Sequence, residues 1–171
     1  MVAGVTGTYH DVNEAPERKT VMDATAAAPP PGVVIVEDND AGPLAETIRS
    51  GVHVLRADEP VAVGGNDTGP GPYDYLLAAL GSCTAMTLRM YARLKKWPLQ
   101  KVTVTLKHDK IHATDCAECE TKEGKVDRIE RVIALEGPLD DEQRKRLLEI
   151  ADRCPVHRTL SSEITIPTRL A

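Results

Sequence analysis

From Val33 onward the chain alternates between short runs of branched apolar residues and clusters of turn formers, and this pattern marks out its elements. Val33-Val34-Ile35-Val36-Glu37 reads as a strand, and Asp38-Asn39-Asp40-Ala41-Gly42 as the turn that ends it. Leu44 to Arg49 and His53 to Arg56, split by Ser50-Gly51, read as a hairpin continuing from that strand. Gly64 to Pro72 is dense in glycine and proline and reads as a rigid loop.

Pro72 to Lys95 then predicts one long helix, stopped near Trp97-Pro98. The 3.6-residue period places Leu76, Ala79, Leu80, Cys83, Thr87 and Met90 on one face. At ~1.5 Å per residue such a helix is about 36 Å long. Its apolar middle predicts burial there, and Gly81 and Ser82 let another backbone or helix come close.

Val102 to His108 alternates as a strand does, and so does Arg128 to Leu135, with Ile129, Val132 or Ile133, and Leu135 as its apolar positions. Gly137-Pro138 breaks the chain. Asp140 is a good N-cap for a helix to about Arg153, whose expected buried face is Leu147, Leu148, Ile150 and Ala151. Glu163 to Leu170 predicts a closing edge strand, because Pro167 cannot donate to a ladder. Strands, long helix, strands, helix, strand is the order of an α+β fold with its helices on one side of the sheet.

Composition narrows the picture. Hydrophobic residues make up 42% of the chain, enough for a sizeable core. Aromatics are 3% with no Phe, so that core must be built from Leu, Ile, Val, Ala and Met. Residues 1–32 are polar, then Ala-rich, and end in Pro29-Pro30-Pro31-Gly32; they read as a poorly ordered extension before a domain at 33–171. A net charge of -5 argues against a nucleic-acid partner. No run approaches the ~20 apolar residues that span a bilayer, and the first residues carry no apolar signal region. The expectation is a cytoplasmic protein with no membrane partner, whose four cysteines serve as reduced thiols, in catalysis or on a metal.

Two of those cysteines stand in informative places. Cys83 lies inside the long apolar helix, where a thiol is ordinarily a small core hydrophobe. Its helical neighbours Ala79, Leu80, Met86 and Thr87 include no general base, so any positive charge that makes it a thiolate must come from elsewhere. Cys154 precedes Pro155, which disfavours helix in the residue before it and suits the first position of a new turn. That puts the Cys154 sulfur near free backbone N–H groups, with His157 and Arg158 close by. If the two sulfurs meet they form a redox dithiol; if they do not, both are structural. A third group, His108-x3-His112-x3-Cys116-x2-Cys119, offers zinc-ligand types, a local redox pair or simply a solvated loop. The two histidines would be about 13 Å apart on an extended strand. Asp115, Glu118 and Glu120 would repel the thiolates.

Taken together, these segments resemble the OsmC/Ohr family of thiol peroxidases. Gly64-Gly65-Asn66-Asp67-Thr68-Gly69-Pro70 through Pro72-Tyr73-Asp74-Tyr75-Leu76 to Gly81-Ser82-Cys83-Thr84 is similar to the segment carrying the family's peroxidatic cysteine. Cys154-Pro155-Val156 is similar to its resolving-cysteine motif, about 70 residues later. The resemblance spans roughly Val33 to the C-terminus. It implies an OsmC-like α+β fold: an antiparallel sheet, a long central helix and a second helix, in an intertwined homodimer with active sites at the subunit interface. It implies an enzyme that reduces organic hydroperoxides, and hydrogen peroxide as a further substrate, without metal or other cofactor. Cys83 becomes a sulfenic acid, Cys154 closes a disulfide with it, and an external dithiol reductant restores both.

The family holds its activating arginine with a glutamate directly after the proline that opens the helix. Here that place is taken by Tyr73, with Asp74 beside it. Arg56 is the arginine that the resemblance nominates, with Arg49 second and His53 as a further option. The rival readings are a redox-sensing or binding dimer on the same fold, favoured by the missing glutamate, and a zinc-stabilised structural protein built on His108, His112, Cys116 and Cys119.

Overall fold

The computed structural model describes residues 27–116, 121 and 123–170. The 1–26 part of the expected extension, and Cys119, lie outside the described residues. The chain divides into two compact units, Met1–Gly69 and Pro70–Ala171.

The first unit is a three-stranded antiparallel meander of β1 (Val34–Asp38), β2 (Glu46–Ser50) and β3 (His53–Ala57). The turn between β2 and β3 is made by Gly51 at φ +56°, a conformation that costs a residue without Cβ little. Beyond β3 the chain wraps around one carboxylate. Asp58 is buried and accepts from the N–H groups of Glu59 (2.8 Å), Asn66 (3.1 Å) and Thr68 (3.1 Å) and from the Thr68 hydroxyl (2.8 Å). The glycine-rich loop is therefore an intramolecular anion nest around Asp58. Gly65 is required there, since a Cβ would lie 1.9 Å from the Glu59 carbonyl oxygen.

The second unit begins with α1 (Pro72–Lys95), the helix read from the sequence. Pro72 occupies its first turn, Asp74 accepts the Gly71 N–H at 2.9 Å, and Lys96 in the left-handed region ends it, with Trp97 N–H bonded back to the Ala92 carbonyl. A long antiparallel hairpin of β4 (Lys101–His112) and β5 (Lys125–Glu136) follows, paired from Lys101–Glu136 to His112–Lys125. It is longer at both strands than the alternation alone predicts. Next come α2 (Asp141–Ala151), capped by Asp140 through the Gln143 N–H at 2.7 Å, and the short α3 (Pro155–Leu160). Helix α1 packs on β4, α2 and α3. The core joins Leu88, Ala92, Leu139, Leu147, Ile150 and Ala151, flanked by Trp97, Ile133 and Leu135.

Four expectations need correction. The strands form two antiparallel sheets, of three and two strands, rather than one. Residues 163–170 form no ladder among the described residues; the proline at 167 withholds an N–H, and no neighbouring strand takes the rest. In α2, Leu148 is exposed and Leu147 alone of the pair points inward. In α1 the buried line is Leu80/Gly81, Thr84, Leu88 and Ala92, while Ala79 and Met90 face out. That line is rotated by one residue, about 100°, from the predicted stripe, which leaves Cys83 at its edge. Gly81 does permit a close approach, but by the Leu106 side chain of β4: a Cβ there would meet Leu106 Cδ1 at 2.8 Å.

Candidate active site

The site is built where the middle of α1 meets the break between α2 and α3. Helix α2 ends at Ala151, and Cys154 serves as the N-cap of α3 with extended backbone (φ −60°, ψ 134°), as the following proline requires. Its Sγ accepts the His157 N–H at 3.4 Å and lies 3.8 Å from the Thr84 hydroxyl. Cys154 is fully buried, whereas Cys83 is partly exposed, and both are free thiols. The two cysteine side chains lie close enough to act on each other electrostatically, and the Thr87 hydroxyl and the Val156 N–H also act on Cys83.

The electrostatics of the pair are unequal. Burial pushes the Cys83 thiol up; the Val156 N–H works against this, and the neighbouring Cys154 adds to it. Burial also raises Cys154, but the His157 N–H, the Cys83 side chain, the Thr84 hydroxyl and the Val156 N–H outweigh it and bring that thiol below its ordinary value. Of the two thiols Cys154 is therefore the more acidic and Cys83 the less.

Arg131 of β5 closes the site from behind, with its side chain 12% exposed. Its Nη1 donates to Thr84 Oγ1 at 3.1 Å and to the Ala151 carbonyl at 3.2 Å, and its Nη2 pairs with Asp152 at 2.7 Å. One guanidinium thus ties the helix that carries Cys83 to the end of the helix that precedes Cys154. Sequence reasoning missed this residue. Its signal was the period of two in β5: Ile129, Ile133 and Leu135 turn inward while Val132 turns out, so Arg131 stands on the inward face of an otherwise apolar line.

The other nominated residues are placed as follows. Arg56 is exposed on β3, opposite Thr47 in the register, in the first unit. Arg49 pairs with Glu37, and His53 sits opposite Ser50 at the start of β3. Tyr73, where the family has its glutamate, stacks on His108 with ring centroids 4.3 Å apart, and His108 Nε2 pairs with Asp127 at 2.8 Å. Asp74 is engaged as the cap of α1. Cys116 carries no free thiol, and His112 is exposed on β4. Among the described residues no three His, Cys, Asp or Glu side chains gather closely enough to hold a metal. No described helix is long and apolar enough to cross a membrane.

The OsmC-like protein family matches residues 64–169, which takes in both cysteines and every element of the second unit. The chain belongs to this family. Solved structures give the same fold at low identity. An OsmC like protein from Mycoplasma pneumoniae is 20% identical, with 75% of this chain and 86% of that one covered at a TM-score of 0.60. The organic hydroperoxide resistance protein OsmC from Legionella pneumophila is 19% identical, covering 75% and 87% at 0.54. The organic hydroperoxide resistance protein OhrB of Bacillus subtilis is 20% identical, covering 74% and 87% at 0.51. No curated protein matches the chain.

Proposed function

We propose that this OsmC-like protein is a thiol-dependent peroxidase that reduces organic hydroperoxides. The observation that carries the reading is the closeness of two free thiols that shift each other's acidity, one at the edge of a buried helix face and the other capping α3. Cys83 attacks the distal peroxide oxygen, the O–O bond breaks, and a Cys83 sulfenic acid forms. The Cys83 proton passes through Cys154 to the leaving alkoxide, which departs as an alcohol. The Cys154 thiolate then attacks the Cys83 sulfur, the S–O bond breaks, and hydroxide leaves and is protonated to water. A dithiol reductant returns the disulfide to two thiols. Leu76 and Leu80, two turns and one turn before Cys83 on α1, suit an apolar peroxide better than hydrogen peroxide.

Arg56 is the proposed activator of Cys83, and a homodimer is the proposed working form, in the cytoplasm. The dimer is supported by the apolar side chains that α1 leaves exposed: Met86, Met90 and Leu94, each more than 60% accessible. The test is peptide mapping of the reduced protein after one equivalent of cumene hydroperoxide. A Cys83–Cys154 disulfide within seconds is expected, with no peroxide consumed by Cys83→Ser and a slower first step in Arg56→Ala. Wild-type turnover by Cys83→Ser would end the proposal.

A second reading is a redox sensor, favoured by the raised Cys83 thiol and by Tyr73 in the glutamate's place. It requires the disulfide to form quickly but recycle slowly with excess dithiothreitol, whereas a peroxidase sustains many turnovers.

A further inference from the structure

Thr84 is fully buried and has a single hydroxyl proton with two acceptors in reach: the Leu80 carbonyl at 2.8 Å and Cys154 Sγ at 3.8 Å. Arg131 fills a lone pair of the same oxygen. A hydroxyl that accepts from a guanidinium is a stronger donor and a poorer acceptor, because hydrogen bonds in a chain polarise one another. Both changes favour a thiolate over a thiol at Cys154. The arginine cannot simply be exchanged for lysine, since it makes three directed bonds, to α1, to the last carbonyl of α2 and to Asp152.

We propose that Arg131, acting through the Thr84 hydroxyl, is a positioning residue for Cys154 and governs the disulfide-forming step. The proposal deepens the peroxidase reading and rests on it for the identity of that step. Closure needs Cys154 as a thiolate: its sulfur attacks Cys83–S–OH, the S–S bond forms, and the S–O electron pair leaves with hydroxide. The Thr84 hydroxyl bonds to Leu80, Arg131 and Cys154 and not to the Cys83 sulfur, so the relay addresses the second sulfur. The charged and titratable groups around Cys154 are Cys83 from α1, Arg131 from β5, Asp152 at the end of α2, and His157 of α3, whose Nδ1 lies 3.6 Å from Asp152. Asp152 partly neutralises Arg131. Removing its charge therefore acts on Cys154 in the opposite sense to removing the Thr84 hydroxyl.

Two readouts test this. The first is the rate of disulfide closure after one equivalent of cumene hydroperoxide, followed across pH, with the Cys83 sulfenic acid trapped by dimedone. The second is the thiol–disulfide equilibrium of the oxidised protein with dithiothreitol, which needs no peroxide. Thr84→Val should slow closure about tenfold near neutral pH and move its pH midpoint upward, consistent with losing a hydrogen bond to a charged group. It should also make the disulfide about tenfold harder to reduce, because the reduced form loses its stabilised thiolate. Thr84→Ser should restore both, and Asp152→Asn should move the midpoint downward. A merely structural tether would alter melting without producing midpoint shifts of opposite sign. Equal midpoints and equilibria in wild type and Thr84→Val, or a Thr84→Ser as impaired as Thr84→Val, would overturn the relay. If wild type yields no Cys83 sulfenic acid while the dithiothreitol equilibrium shifts as expected, the peroxidase reading falls and the relay stands.

Discussion

Three single residues decide most of the local chemistry: Cys154, Arg131 and Asp58. The first was legible, because Cys-Pro at a helix end has few conformations to choose from, and the sulfur lands against the N–H groups of the next turn as the sequence implied. Arg131 was not, because a charged residue in an alternating strand is ordinarily assigned to the solvent face, and only the register of β5 shows otherwise. Asp58 was also passed over, although the Asn66 and Thr68 of the motif are there to bind it. Burial pushes Asp58 up, but the Thr68 N–H and hydroxyl, with the Glu59 and Asn66 N–H groups, outweigh it and hold the carboxyl below its usual range. A lowered folded-state value means stability that is present above the unfolded value and lost as pH falls through the folded one. Asp58→Asn should therefore melt below wild type at neutral pH. The gap should close on acidification, as pH falls through the lowered folded-state value and the wild-type carboxyl itself takes up a proton. Thermal melts at several pH values measure this, and a gap independent of pH would contradict it.

Among the elements, the long helix shows how far periodicity reaches. Its bounds follow from Pro72 and Trp97-Pro98, but its buried line does not, because apolar residues surround it and several lines satisfy the same period. Packing selects the line in which Gly81 meets Leu106 and Leu88 enters the core with Leu147. Leu88 is fully buried. Leu88→Ala should cost about 2–5 kcal/mol in urea unfolding, through lost burial and the cavity left behind. A cost below 1 kcal/mol, on the scale of an exposed position, would mean that the neighbouring side chains collapse into the gap. The two long strands were found short for a related reason: their outer ends, His112 and Lys125 among them, pair through backbone bonds that polar sequences form equally well.

Across the whole molecule, the exposed apolar stripe on α1 should set the assembly. Met90→Arg places a charge in the middle of that stripe, at a side chain 72% accessible, and sedimentation velocity should show a dimer converted to monomer. A wild type that already sediments as a monomer would remove the dimer from the proposal. The two sulfurs have a global effect as well. Joining mid-α1 to the α2–α3 junction closes a loop of about 70 residues, which by chain entropy stabilises the fold by ~4 kcal/mol. The oxidised protein should accordingly melt well above the reduced one in calorimetry. In the proposed peroxidase cycle this would work as a ratchet. Whatever rigidity the cross-link lends the fold, the fold returns to the cross-link, so each peroxide reduced would leave the molecule in its sturdier and less reactive form until the reductant acts. Release would then demand a strongly reducing dithiol, and the lowered pKa of the Cys154 thiol would pull against the ratchet from inside.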